Sequence, residues 1–125
     1  MNSVHAQSWL LTACLSGFIS VVMGAVGAHL AGDALSGALI EKASFFQLIH
    51  AVVLVWLAEK SQFWLTRWLF IVGSLLFCGA LYLKGITGWS WATRPAPMGG
   101  VSLMLGWLVL GWTGFRHKSE IHPRA

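Results

Sequence analysis

Hydrophobic and polar positions divide the chain into four long apolar stretches separated by short polar breaks. A helix that crosses a hydrocarbon core of roughly 30 Å needs about 20 mostly apolar residues. The stretches that meet or approach this length cover residues 9–30, 43–58, 63–86 and 97–115, and each predicts a spanning helix. The second is short and carries Gln47 and His50. It either begins earlier, near Leu39, with Glu41 and Lys42 at the headgroup level, or lies in the interface. The run AVVLVWLA at 51–58 is apolar on every face and favours a span. Pro97 suits a helix start, because the missing amide of a first-turn proline would have no partner anyway. The remainder, 116–125, reads as a polar, basic, mobile tail with His117 and His122 in solvent.

Composition supports the same picture. Of 125 residues, 57% are hydrophobic and 10% charged, against roughly 25% charged in a soluble domain. Too little polar surface exists to face water all round, so lipid is the expected solvent. The length allows one domain. The fold class predicted is all-α, an integral membrane four-helix bundle with short connections and hence antiparallel neighbours.

The charges locate the ends. The net charge is +4, but the basic residues sit at the ends of apolar runs and not on one polar face, which excludes a nucleic-acid binder. With four spans, Lys60, Arg67, Arg116, Lys118 and Arg124 share the side that holds both termini. Lys42, Lys84 and Arg94 share the other, with Asp33 and Glu41. Basic residues in short loops favour the cytoplasm, so both termini are expected there. Residues 1–8 hold no Lys or Arg, and the apolar run after them is too long for a signal h-region, so no cleaved signal is expected. The tryptophans fit these limits, since indoles prefer the headgroup zone. Trp9, Trp56, Trp64, Trp68 and Trp112 fall near the inner boundary, Trp89 and Trp91 near the outer, and Trp107 alone sits mid-membrane.

Lipid gives no hydrophobic drive between helices, so small residues that allow close approach take over. Ala13, Gly17, Ser20, Gly24 and Ala28 recur at spacings of three and four and share one face of the first helix. Gly99, Ser102 and Gly106, with Gly100 beside them and Gly114 beyond, do the same on the fourth. These stripes are the expected packing seams.

Few polar groups remain to carry chemistry. His29 ends the first helix, Gln47 and His50 lie one turn apart on the second, and Tyr82 lies near the end of the third. Topology places all four in the outer half of the bilayer, where neighbouring helices can bring them together. Four readings are open for such a cluster: interhelical hydrogen bonding alone, a pocket for a quinone or lipid, ligation of haem by His29 and His50, and a proton or ion path. The scarcity of membrane carboxylates argues against the last. Cys14 and Cys78 form no CxxC pair. No GxSxG, P-loop, HExxH or carboxylate pair occurs, so no enzyme, metal site or cofactor is expected. Asp33 and Glu41 read as solvated loop charges.

Four stretches carry a family resemblance: GAVGAH at 24–29, FFQLIHA at 45–51, LFCGALYLKGITG at 76–88 and APMGGVSLMLGW at 96–107. In order and spacing they resemble the YgdD-like family of small membrane proteins, also called domain of unknown function 423, with transmembrane protein 256 as a eukaryotic relative. The resemblance implies a four-helix inner-membrane protein and maps motif positions onto His29, Gln47, His50, Tyr82, Gly99 and Gly100. It implies no established activity. Two positions depart from the family's pattern: Phe46 precedes Gln47 where a tyrosine is typical, and Cys78-Gly79-Ala80 stands for a Ser-Gly-Ser run. The expected function is that of a non-enzymatic accessory or scaffold protein of the bacterial inner membrane, in contact with itself or a larger complex. The competing expectation is a binder of quinone, lipid or haem through the polar cluster, and a third is transport as an oligomer.

Overall fold

A capping side chain sets the start of each of the first two helices. Asn2 lies in extended backbone, and its side-chain oxygen accepts from the Val4 amide at 3.0 Å. Helix α1 follows over Ser3–His29. Asp33 does the same for α2, Ala34–Leu57, accepting from the Ser36 amide and the Ser36 hydroxyl, each at 2.9 Å. Such caps satisfy amide groups that a helix start leaves without partners. These bonds to Ser36 hold the Asp33 carboxyl below its ordinary pKa. Asp33 is therefore a cap and not merely a solvated loop charge.

The computed structural model describes residues 2–121. After α2 comes a short 3-10 turn, Ser61–Phe63, and then α3, Trp64–Thr87. Gly88 ends α3 in the left-handed region (φ 75°), its amide bonded to Lys84 O at 2.8 Å, a geometry that glycine adopts without a Cβ penalty. A second 3-10 turn, Ser90–Thr93, leads to α4, Ala96–Ile121, with Pro97 in its first turn. No strand occurs among the described residues. All four helices are long and apolar enough to cross a membrane.

Three helix limits differ from the hydropathy reading. Helix α1 starts six residues before Trp9, because Asn2 rather than the first apolar residue nucleates it. Helix α2 starts at Ala34 rather than near 43: Glu41 and Lys42 interrupt the hydropathy but not the helix. At 24 residues it is about 36 Å long, enough for a span. Helix α4 continues to Ile121, so 116–121 is helical and not a mobile tail. His122 and Arg124 lie outside the described residues.

Helix α1 packs on α2, α2 on α3, and α3 on α4. The buried residues of α1 are Ala13, Ser20 and Gly27, at seven-residue intervals. That repeat marks helices that cross at a shallow angle and keep one seam in contact. Opposite it, Ser44 of α2 donates to Ser20 O at 2.6 Å, and a Cβ at Gly24 would come within 2.8 Å of the Ser44 hydroxyl. Gly17 faces Ala51. Ala28 is exposed, and Gly27 takes its place against Glu41 and Gly37. The seven-residue seam reaches Gly27 and rotates Ala28 away.

The α3–α4 seam is tighter. A Cβ on Gly99 would collide with the backbone of Phe77 and lie 2.9 Å from Gly73 O. One on Gly106 would meet the Phe70 ring at 2.6 Å. Ser102 donates to Leu69 O at 2.8 Å. Gly100 stands at the margin, 3.8 Å from the Phe77 ring. Between the two hairpins, Leu54, Leu57, Phe63, Phe70 and Leu103 form the apolar core with Ala13. The outer faces of α1 and α4 carry exposed Leu11, Leu15, Phe18, Met104 and Leu108, as a lipid-facing surface requires.

Candidate functional site

Five side chains, Tyr82, Gln47, Ser16, Trp107 and His50, form two hydrogen-bonded chains that together tie all four helices. In the first, the Tyr82 hydroxyl on α3 donates to Gln47 Oε1 on α2 at 2.5 Å. Gln47 Nε2 in turn donates to Ser16 Oγ on α1 at 3.2 Å. Side chains on a helix lean toward its N-terminus. Tyr82 stands near the C-terminal end of α3, so its ring leans down toward the bundle centre, where Gln47 lies.

In the second chain, Trp107 on α4 donates from Nε1 to His50 Nε2 at 3.0 Å. His50 Nδ1 lies 2.6 Å from Phe46 O one turn back on α2. An indole nitrogen only donates and a carbonyl only accepts. The imidazole is therefore neutral, with its proton on Nδ1 and its Nε2 lone pair given to Trp107. His50 is buried (3% exposed). Its ring stands edge-to-face against Phe70 at 4.9 Å and Trp107 at 5.9 Å, and these contacts fix its plane.

The cluster departs from expectation in two ways. His29 takes no part: it is exposed in the last turn of α1, while His50 is buried past the middle of α2. The two histidines do not form a facing pair, since His29 stands at the end of α1 while the neighbour of His50, Ala51, faces Gly17 in the middle of α1. The cluster also lies near mid-bundle and not in its outer half. The longer α2 puts Gln47 and His50 just past its centre, level with Trp107 on α4, and only Tyr82 reaches in from the outer part.

Ser16, Trp107 and Arg67 were not among the residues singled out from sequence. Trp107 had a signal, as the one tryptophan away from a boundary: an indole N–H at that depth needs an acceptor. Ser16 had none that set it apart from other helix-one serines. Arg67 read as a boundary charge, yet it is buried (3% exposed). Its Nη1 lies 3.2, 3.3 and 3.4 Å from the carbonyls of Leu57, Ala58 and Lys60. Leu57 ends α2, and Ala58 and Lys60 follow it in the connection to the Ser61–Phe63 turn, so the guanidinium caps the end of that helix and its link to α3. The guanidinium also sits 4.9 Å over the Trp9 ring.

The arrangement joins helices. Tyr82 spends its one donor on Gln47, and both ring nitrogens of His50 are engaged. Among the described residues, no group of three or more His, Cys, Asp or Glu side chains is placed to hold a metal ion.

Comparison with known proteins places this geometry in a family. The family model described as "Protein of unknown function (DUF423)" matches residues 23–100. This segment holds the end of α1, the capped α2, all of α3 and the tight start of α4. The chain belongs to the DUF423 family. It is similar to the UPF0382 inner membrane protein YgdD of Escherichia coli K12, 32% identical over 128 residues that cover 90% of this chain and 95% of the relative. A UPF0382 membrane protein of Haemophilus influenzae is 29% identical, with 90% and 98% covered. One of Staphylococcus epidermidis is 32% identical, with 82% and 90% covered. The names of these DUF423-like relatives state a membrane location and no activity. No solved structure matches the chain.

Proposed function

We propose that the chain is a non-enzymatic accessory or scaffold subunit of the inner membrane, acting through contacts with itself or a larger membrane complex. The observation that carries this reading is the interhelical polar cluster: Tyr82 bonds to Gln47, Gln47 to Ser16, and Trp107 to His50, which also bonds to Phe46 O. A catalytic or ligand-binding cluster keeps donors or acceptors free for its ligand; this one uses them to join helices. For haem, His50 would have to surrender the lone pair that Trp107 occupies, with His29 too distant in the fold to serve as the second ligand.

What the bundle offers to a partner is its outside. Gly79 on α3 and Gly111 on α4 are exposed, with open space where a Cβ would stand. Such positions let a further helix approach closely in lipid. Orientation follows from the basic residues: Lys60, Arg67, Arg116 and Lys118 lie toward the end where α1 begins and α4 ends, which favours both termini in the cytoplasm.

Cysteines placed singly at Gly79 and Gly111, cross-linked in native membranes, test the proposal. It expects a discrete adduct, either a dimer or one defined larger species, at one of the two positions. Monomer alone at both, under conditions that cross-link a known membrane dimer, overturns it.

A further inference from the structure

At the end where α1 begins and α4 ends, a groove of about 390 Å³ runs between the α2–α3 connection and the last turns of α4. Its polar rim holds the cationic Lys60 and Lys118, together with His117 and Gln62. Among the described residues, no carboxylate lines it. Glu59 lines a different cavity, against α1, and Glu120 lines the neighbouring one with Arg116. The floor is apolar, built from Trp56 and Phe63 with ring centroids 5.9 Å apart. Gly114 leaves the α4 wall open, since a Cβ there would be 4.0 Å from the tip of Phe63.

Lys60 is already placed. Its ammonium donates to Trp56 O at 3.1 Å and lies 4.5 Å over the Trp56 ring. That holds the charge at the groove's edge with further N–H donors unspent, since an ammonium has three. Helix α4 has 26 residues, about 39 Å, so it outruns a hydrocarbon core of roughly 30 Å. Its last turns, with His117 and Lys118, therefore stand at headgroup level, and Gly114 stands at the acyl boundary.

We infer that this groove binds the phosphate of an anionic phospholipid. The headgroup sits between Lys60 and Lys118, with His117 and Gln62 beside it, and an acyl chain lies along Trp56, Phe63 and Gly114. Ammonium and phosphate form charge-assisted hydrogen bonds, and basic residues next to a span draw anionic lipids from a mixed leaflet. Charge over an apolar slot selects a lipid rather than a soluble phosphate, because only a lipid fills both.

The test is native mass spectrometry of the full chain in dodecyl maltoside with equal phosphatidylglycerol and phosphatidylcholine. The wild type should retain phosphatidylglycerol severalfold over phosphatidylcholine. K60Q and K118Q should each lower that ratio by about fivefold or to unity, whichever is reached first, and the double variant should abolish it. G114L, which fills the slot, should lower retention of both lipids. K42Q/K84Q, at the opposite end, should keep the wild-type ratio. Circular dichroism identical to wild type keeps these comparisons among folded proteins. The inference is overturned if K60Q/K118Q keeps the wild-type ratio or if K42Q/K84Q loses as much. It is equally overturned if glycerol 3-phosphate displaces phosphatidylglycerol as well as the lipid itself does.

Discussion

Trp107 and His50 are joined across the bundle by an Nε1–Nε2 hydrogen bond of 3.0 Å, although their helices share no broad packing seam. Between them lies Phe70, with its ring 5.3 Å from Trp107 and 4.9 Å from His50. Helix α4 is held to α3 by shape and to α2 by this polar link. The direction of the bond fixes the histidine tautomer, so nitrogen NMR of the imidazole should report a neutral ring protonated at Nδ1. In W107F the bond to Nε2 is gone while Phe46 O still holds Nδ1, so the tautomer should persist and the Nε2 resonance should move.

Tyr82 links α3 to α2 through a single hydroxyl. Y82F removes the donor and leaves Gln47 Oε1 without it in the bundle interior. Interhelical bonds in membranes contribute roughly 0.6–2 kcal/mol, so Y82F should destabilise by about 1 kcal/mol in reversible unfolding from mixed micelles. Q47L should cost more, since it also loses the bond to Ser16, and Y82F added to Q47L should cost little more, because the link between the two is already broken.

Adjacent glycines of α4 should respond oppositely. An added Cβ at Gly99 strikes the backbone of Phe77, which has nowhere to move. G99A should cost about 1–3 kcal/mol, the range for overpacking. At Gly100 the nearest atom is a ring carbon at 3.8 Å, an ordinary contact. Alanine is the better helix former by about 1 kcal/mol, so G100A should be neutral to mildly stabilising. Melting temperatures of the two variants, measured side by side, check this.

The Asp33 cap should appear in pH dependence. Its folded-state pKa is depressed by the Ser36 amide, then by the Ser36 hydroxyl. A depressed carboxylate contributes stability that is fully present above its unfolded value and is lost as pH falls through the folded one. D33A should therefore lower the melting temperature at neutral pH, and the difference from wild type should shrink below pH ~4. D33N should fall between them, because asparagine also caps.

Much of this molecule was legible in the chain because lipid imposes a length rule. Four apolar runs gave four helices, and the short links gave antiparallel neighbours. Helix limits were less legible where a cap rather than hydropathy sets them. Asp33 begins α2 nine residues before the apolar run, and nothing in hydrophobicity reports a hydrogen bond to Ser36. The polar cluster was half legible. Gln47, His50 and Tyr82 stand out as costly side chains in lipid, and Trp107 as the one tryptophan away from a boundary, but Ser16 looks like any other serine of the first helix. His29 stood out equally by composition; its place in the last turn of α1 keeps it apart. Ala28 satisfied the three-four spacing and still missed the seam, because the packed helices follow a seven-residue repeat that reaches Gly27.

The bonds that Trp107 makes to His50, and Tyr82 to Gln47, are spent on joining helices. A double-mutant cycle across Trp107 and His50 tests this most directly, with W107F, H50L and the double variant unfolded reversibly in mixed micelles. A spent pair should show a coupling energy of roughly 0.6–2 kcal/mol, with the double variant costing less than the sum of the singles. Additive costs, with coupling near zero, would mean that the histidine is free for another partner and that its bond to Trp107 does not hold α4 to α2.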